Sequence, residues 1–315
     1  MSRRRPSRIH GLLPVYKRPG PTSHDVVDMA RRALGERRIG HTGTLDPMAE
    51  GLLLLCVGHA TRLQQFLMRW DKCYRGTVRL GHATTTYDRE GELMAPQGAV
   101  PALGPEFLAG LTERFSGSFE QVPPPYSAKK VAGRKMYELA RNGQEVELEA
   151  KTVTVHALRI QALAADLLEL EVTTSSGFYV RSLAHDLGLV LGCGGHLEHL
   201  QRSRIGPYLA SAALDQETLS SAEPAVEIVG GHHWVDLDAV ELPLPSVDLN
   251  RTAGDCFVHG QEAVVLRTGG EPLAPGDEVV ARSDRHRLLG IGAVQTVLAR
   301  GRTIGLRPSV VLAPP

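Results

Sequence analysis

The chain has 315 residues, 42% of them apolar, and its charges cancel at neutral pH. No apolar run approaches the length of a membrane span, and the basic start MSRRR lacks the apolar segment of a secretory signal. The composition therefore excludes a membrane-spanning chain and allows one large core with a second, smaller domain. Four cysteines without a C-x-x-C pair are typical of a reducing cytoplasm, where we expect the protein.

The zero net charge is a cancellation between separate regions. Residues 1–40 carry ten basic against three acidic side chains, whereas residues 209–250 carry eight acidic and no Lys or Arg side chains. Local fields matter more for phosphate contact than the total charge does. The charge balance is therefore compatible with a nucleic-acid partner.

The first element predicted along the chain is a helix over residues 23–35. Ser23 is the predicted N-cap and Gly35 ends the helix. One apolar face consists of Val26, Val27, Ala30 and Leu34.

The next segment, residues 40–51 (GHTGTLDPMAEG), presents one acidic side chain on a glycine-rich loop. Pro47 favours extended geometry at Asp46, and the apolar run at 52–58 predicts a strand that anchors the loop. Two interpretations are open from the local chemistry. Asp46 either bonds its own backbone in a turn, or it is presented to a ligand from a stiff base.

Alternating residues predict a strand over 73–81, and residues 152–162 and 167–174 are also β-like. Helical spacing returns over residues 179–191, which sets Arg181 in the first turn of a helix. Mixed helices and strands of this kind indicate an α+β protein.

Residues 123–143 form an insertion with five basic side chains against one acidic side chain, a pattern that on charge alone is compatible with a solvated surface helix. The acidic stretch 209–250 resembles a boundary. Beyond it, short β-like runs at 256–266, 278–282, 287–297 and 303–308 predict a small β-barrel.

One metal alternative is present in the sequence. Cys193, His196 and His199 have ligand types at short spacing, which permits zinc if His185 or the His232-His233 pair supplies a fourth ligand. The glycine cluster at 192–195 does not follow the G-x-G-x-x-G pattern of dinucleotide sites.

Residues 40–53 resemble the catalytic motif G-H-T-G-x-L-D-P-x-A-x-G-L-L of the TruB family of tRNA pseudouridine synthases. Further segments resemble family motifs in the same order, although Arg18 stands where proline is usual and Phe178 where threonine is common. These segments are residues 17–27 (KRPGPTSHDVV), 72–74 (KCY), 86–91 (TYDREG), 121–128 (QVPPPYSA), 175–183 (SSGFYVRSL), 195–197 (GHL) and 200–206 (LQRSRIG).

The resemblance implies a pseudouridine synthase fold with a central mixed, largely antiparallel sheet and a small C-terminal β-barrel of PUA-like type. It implies a catalytic domain at residues 1–248, with an RNA-gripping insertion at 123–150, and an RNA-binding domain at 249–315. The implied reaction converts uridine 55 in the T-loop of tRNA to pseudouridine by base flipping.

The resemblance also implies roles for single residues. Asp46 would act at the ribose as nucleophile or base, Arg181 would keep it ionised, and Tyr74 would stack on the flipped uracil. Implied substrate-binding residues are His41, Tyr179, Leu200, Lys129, Lys130 and Asp88, of which Asp88 would recognise the uracil edge or orient its neighbours. Lys17, Arg62, Arg202 and Arg204 are implied phosphate contacts.

No cofactor, metal, guide RNA or membrane is expected from the resemblance, and the expected state is a monomer bound to the T-arm of tRNA. The alternative function is a tRNA chaperone that binds and refolds the T-arm without catalysis.

Overall fold

The computed structural model describes residues 7–95, 98–125, 130–131, 134–135, 149–221, 228–267 and 269–312. Its helices are α1 (Ser23–Leu34), α2 (Gln64–Leu67), α3 (Pro105–Arg114), α4 (Val180–Val190), α5 (Gln216–Ser221) and α6 (Arg251–Val258). Its first nine strands are β1 (Gly11–Lys17), β2 (Ile39–His41), β3 (Glu50–Val57), β4 (Lys72–Leu80), β5 (Gly117–Gln121), β6 (Lys130–Val131), β7 (Arg134–Lys135), β8 (Lys151–Ala164) and β9 (Leu167–Thr174). The remaining strands are β10 (Gly195–Ile205), β11 (Tyr208–Leu209), β12 (Leu214–Asp215), β13 (Val235–Asp236), β14 (Ser246–Leu249), β15 (Ala263–Leu266), β16 (Glu278–Ser283), β17 (Leu288–Leu298) and β18 (Thr303–Val311).

A large mixed sheet organises the described part of the chain. Its main strand order is β12-β1-β3-β10-β4-β9-β8-β5, with the short strands β2, β11 and β13 paired at its sides. The β1–β12 and β3–β10 pairs are parallel, and the other pairs are antiparallel. The α+β fold with a mixed, largely antiparallel sheet is therefore confirmed.

Strand β3 is buried on both faces, which explains its uninterrupted apolar sequence. Leu53, Leu55 and Val57 join a core that α1 and α4 cover. The alternate side chains, Leu52, Leu54 and Cys56, join a second core together with residues of β16 and β17. Both cores hold β3 in place, so the loop that precedes it has a fixed end.

Helix α1 begins at Ser23 itself, one residue earlier than the prediction of Ser23 as N-cap implies. Its N-cap is Thr22, whose hydroxyl accepts from the Asp25 amide while the Asp25 carboxylate accepts from the Thr22 amide. This reciprocal pair is a capping box. The prediction of Ser23 as N-cap was wrong because the Ser23 hydroxyl bonds the backbone of Leu45 instead.

The C-terminal part has its own five-stranded sheet, in the order β14-β16-β17-β18-β15, around a separate apolar cluster. The predicted strand at 256–266 was wrong in its first half. Residues Arg251–Val258 form α6, capped by the Asn250 side chain, and only Ala263–Leu266 are extended. The division into domains at residue 248 stays a prediction. No helix in the described ranges is long and apolar enough to cross a membrane.

Candidate active site

A cleft of about 270 Å³ opens between the loop before β3, the start of α4, and strands β4 and β10. Its lining combines one carboxylate, three basic side chains, two tyrosines and several apolar groups: Asp46, Lys72, Arg181, Arg202, Tyr74, Tyr179, Leu45, Met68, Phe178 and Leu200, among others. A concave surface with a few convergent polar groups is the usual form of a ligand site.

Asp46 and Arg181 meet in this cleft although 135 positions separate them. The Arg181 Nε atom lies 2.9 Å from Asp46 Oδ2, and Nη2 donates to Asp46 Oδ1 at 3.3 Å. The Asp46 side chain is 33% exposed, whereas that of Arg181 is 7% exposed. The paired contact therefore fixes the plane of the carboxylate while leaving it open to a ligand.

The remaining guanidinium nitrogen of Arg181, Nη1, contacts Asp88 and Thr86. It lies 3.3 Å from Asp88 Oδ2 and donates to the Thr86 carbonyl at 3.0 Å. The buried Asp88 carboxylate also accepts from the Thr86 hydroxyl at 2.6 Å and the Glu90 amide at 3.0 Å. Asp88 is thus committed to orienting Arg181, which is one of the two roles expected for it.

Two inward-facing basic residues fix the loop that carries Asp46, and Lys17 is the first. Its buried Nζ atom donates to the carbonyls of Arg18, Asp46, Pro47 and Ala49 at 3.1, 3.2, 3.1 and 2.7 Å. Burial lowers the pKa of Lys17 to about 8, against the opposing charge of Asp46. The ammonium thereby joins four neighbouring carbonyls, and it adds to the bonds that the Asp46 and Pro47 carbonyls accept from the amides of Ala49 and Gly20.

Arg202 holds the other side of the loop. Its fully buried guanidinium donates to the carbonyls of Leu52, Thr44 and Gly43 at 2.8, 3.3 and 3.0 Å. Gly51 allows this approach, because it has φ of +103° and an added Cβ would lie 2.3 Å from the Arg202 carbonyl.

The structure corrects the expected phosphate contacts at Lys17 and Arg202. Both side chains are buried, and their donors bind backbone carbonyls of the Asp46 loop rather than facing solvent. A basic residue in the sequence indicates a charge but not the direction in which the fold turns it. Lys17 and Arg202 therefore hold the Asp46 loop in place.

Replacing Arg202 with methionine should lower the free energy of unfolding by about 2–4 kcal/mol, because three backbone carbonyls lose a charged hydrogen-bond donor. Loosening of Gly43 and Thr44 should also lower activity. Chemical denaturation checks the first effect. Arg204→Met is the matched control, since Arg204 lies two residues along the same strand and donates to the Cys73 Sγ atom and the Gly206 carbonyl instead. Equal unfolding energies for the two variants would contradict the loop-holding role.

The aromatic and apolar residues expected in the pocket do lie around the cleft. Tyr74 extends from β4 and interacts with the Arg202 guanidinium, and the buried Leu200 lies on β10. Tyr179 directly precedes α4, and its backbone amide and carbonyl bond the side chain of Gln121. Their contacts with substrate stay predictions.

His41 ends β2, and its Nδ1 atom accepts from the Gly43 amide at 3.3 Å. Burial, together with the charge of Arg202, lowers the pKa of His41, so its ring is neutral at pH 7. The exposed Arg62 donates to the Val311 carbonyl. Lys129 lies outside the described residues; Lys130 lies in β6, and its side chain is not described.

The three candidate zinc ligands, Cys193, His196 and His199, have separate surroundings. His196 Nδ1 lies 2.9 Å from the His82 carbonyl, His199 Nε2 lies 3.2 Å from Glu50, and Cys193 is buried. Within the described ranges, no group of three metal-ligating side chains comes together.

The two departures from the family motifs have distinct surroundings. Arg18 pairs with Asp215 at 2.7 Å, and its amide, which a proline would lack, donates to the Gln216 side chain. Phe178 is buried and packs edge-on against Phe119. Both replacements are therefore accommodated by packing outside the Asp46–Arg181 pair.

Residues 31–180 match the sequence profile of the TruB family pseudouridylate synthase N-terminal domain, and residues 181–242 match that of the tRNA pseudouridylate synthase B C-terminal domain. The tRNA pseudouridine synthase B of Chromohalobacter salexigens is 41% identical over 85% of this chain and 86% of its own length. That of Burkholderia mallei is 38% identical over 94% of this chain and 97% of its own length.

Among solved structures, the fold is similar to a chain of the Cbf5-Nop10-Gar1 complex, with a TM-score of 0.74 and 23% identity over 96% of this chain and 85% of that chain. A chain of the H/ACA RNP bound to a substrate RNA containing 2′-deoxyuridine gives a TM-score of 0.73 at 23% identity, again over 96% of this chain and 85% of that chain. At this identity the likeness shows the fold alone.

Proposed function

This chain belongs to the TruB family of pseudouridine synthases, and on that premise we propose that it isomerises uridine 55 in the T-loop of tRNA with Asp46 as the catalytic carboxylate. The relatives named tRNA pseudouridine synthase B support the reaction class. The observation that carries the residue assignment is the Asp46 carboxylate, which Arg181 orients within an accessible cleft.

The reaction breaks the C1′–N1 bond of uridine, turns the base, and forms a C1′–C5 bond. One proton moves from C5 to N1, and no electrons are gained or lost overall. Asp46 acts at the ribose by one of two routes: attack on C1′ or removal of the C2′ proton. Both routes need the carboxylate within contact distance of the sugar.

The target base must leave its stack to reach Asp46. In this proposal Tyr74 stacks on the flipped uracil, which offsets the flipping cost by about 1–3 kcal/mol. Tyr179 and Leu200 close the apolar side of the pocket. His41, neutral and beside the loop, fills the place of the base in the RNA.

Arg181 and Asp88 form the supporting network. The Arg181 side chain is too buried to reach freely into solvent, and Asp88 fixes its far side. A guanidinium clamped in this way holds the Asp46 carboxylate in one orientation before substrate arrives. Preorganised charge of this type costs no rearrangement during the reaction.

We propose that RNA contacts come from the exposed Arg62, the half-buried Arg204, and Lys129 and Lys130 of the insertion. Such contacts position the RNA without reading its sequence. We further propose that the enzyme acts as a monomer in the cytoplasm, on the T-arm of tRNA, and without a guide RNA.

Incubation of the purified protein with unmodified tRNA tests this function. Mapping of pseudouridine along the product should find it at position 55 and at no other uridine. A tRNA with cytidine at position 55 is the matched control and should stay unmodified. Unmodified uridine 55 after full incubation, with the protein folded and bound to tRNA, would contradict the proposal and favour the chaperone alternative.

A further inference from the structure

The cleft contains a lysine that the proposed roles do not use. Lys72 opens β4 two positions before Tyr74, so the two side chains leave the strand on the same face. Lys72 is buried and lines the cleft together with Asp46 and Tyr74. A buried ammonium beside a substrate pocket is costly unless it meets suitable partners.

The described partners of Lys72 are backbone carbonyls. Its Nζ atom donates to the Met68 carbonyl at 2.5 Å and the Trp70 carbonyl at 2.6 Å. An ammonium has three donors, so one N–H has no acceptor among the described residues. Within those residues, no carboxylate lies within ion-pair distance of Lys72.

This setting differs from that of Arg181, whose charge two carboxylates balance. Arg202 lies close enough to Lys72 for its charge to act on the lysine, and it too bonds backbone carbonyls. The wall of the cleft that these two residues share is therefore positive. Because both side chains are buried, their charge acts strongly on any anion that forms beside them.

The proposed reaction forms one. When the C1′–N1 bond breaks, its electron pair leaves with N1, and the resulting negative charge spreads over the O2 and O4 atoms of uracil. This happens whether Asp46 attacks C1′ or removes the C2′ proton. The detached base must then stay in the pocket, turn, and bond through C5.

We propose that Lys72 is a catalytic residue whose ammonium donates its third N–H to a carbonyl oxygen of the detached uracil and stabilises that anion. The inference rests on the proposed function and adds a role at the base to the role of Asp46 at the ribose. Lys72 keeps its proton throughout. When the C1′–C5 bond forms, the electron pair returns to carbon, and the proton transfer from C5 to N1 follows as before.

A leaving-group test separates this role from a structural one. Lys72→Gln should lower the first-turnover rate by roughly 10²–10³-fold on tRNA containing uridine 55, the usual effect of losing one preorganised donor. On tRNA containing 5-fluorouridine, whose fluorine itself stabilises the anion, the loss should be at least about tenfold smaller. Nuclease digestion and chromatography measure consumption of the parent nucleoside in both cases.

Controls keep the outcomes distinct. Wild-type protein must isomerise uridine in the same assay; if it does not, the proposed function fails before Lys72 is tested. Lys151→Gln, on the exposed start of β8, should match wild type on both substrates. Equal rate losses on the two substrates for Lys72→Gln, with a lowered Tm, would assign Lys72 to structure and overturn the inference.

A phosphate contact is the other outcome that would overturn it. In that case Lys72→Gln would weaken tRNA binding and reduce its salt dependence while leaving the first-turnover rate at saturating tRNA unchanged. The inference predicts the reverse: unchanged affinity and a reduced rate.

The pH profile supplies an independent readout. Burial and, to a smaller extent, the charge of Arg202 from β10 lower the pKa of Lys72 to about 8, with Asp71 in the preceding turn opposing them. A lysine that must be protonated loses its effect as pH rises through this value, so kcat/KM should fall above about pH 8. Lys17 also has a pKa of about 8, so the variant decides. Lys72→Arg should weaken the decline, and a pH profile identical to that of wild type would contradict the role.

Discussion

Replacing Asp46 with asparagine should lower the first-turnover rate of pseudouridine formation by roughly 10⁴-fold or more, since the proposed chemistry at the ribose has no substitute. Asparagine has nearly the same shape and still accepts a hydrogen bond from Arg181, so the cleft should persist. It neither attacks C1′ nor removes the C2′ proton. Rapid-quench assays with excess enzyme over unmodified tRNA measure the effect.

A surface aspartate provides the matched control for this variant. Asp166 pairs with Arg79 at 3.0 Å, far from the cleft lining, and Asp166→Asn should retain the wild-type rate. Binding of tRNA should survive in both variants. If Asp46→Asn still forms pseudouridine at more than about a tenth of the wild-type rate, another group performs the chemistry. Loss of both binding and reaction would instead indicate a collapsed cleft.

Replacing Arg181 with lysine should lower the first-turnover rate by roughly 10²–10³-fold although the positive charge is kept. Arg181 uses separate nitrogens for Asp46 and for Asp88, with a further bond to the Thr86 carbonyl. A lysine has one nitrogen on a flexible stem and cannot reproduce this fork. The Asp46 carboxylate would then sample several orientations, of which few suit the ribose.

Arg79→Lys is the control for the arginine variant, because Arg79 also faces two acidic residues, Asp166 and Glu198, but all three side chains are partly exposed to solvent. Its rate should match wild type. Retention of activity by Arg181→Lys would mean that charge alone is sufficient and that the fork geometry has no part. Addition of free guanidinium to Arg181→Ala should restore part of the lost rate if the orienting role is correct.

Much of this site could be predicted from the order of motifs in the chain. The glycine-rich loop with Asp46, the apolar strand after it, and Arg181 in the first turn of a helix were all expected, and the elements are confirmed. Their meeting across 135 positions followed only from the family resemblance, since no local pattern encodes a contact over that distance.

The contacts by which Lys17 and Arg202 hold the Asp46 loop could not be predicted from the order of motifs. Lys17 and Arg202 were interpreted as phosphate contacts because their charge is visible in the sequence, whereas the carbonyls that they bind are not. The direction of the loop carbonyls is known only once the backbone is traced, and it reverses the direction expected for both side chains.

Lys72 was missed for a different reason. The motif KCY drew attention to Tyr74, but alternation on a strand already places Lys72 on the same face. Its burial depends on the pairing of β4 with β9 and β10, and its carbonyl partners lie in the turn after α2. Neither that pairing nor that turn could be predicted from the local pattern. The early part of the predicted strand at 256–266 failed because the Asn250 cap was overlooked.

The central claim is that Asp46, oriented by Arg181, contacts the ribose of a flipped uridine. A crystal structure of the Asp46→Asn variant with a T-arm RNA tests it most directly. The account predicts uridine 55 out of its stack, with the side chain of residue 46 about 3–3.5 Å from C1′ or C2′. A bound RNA that keeps uridine 55 stacked, or that directs its ribose to another surface, would contradict the account.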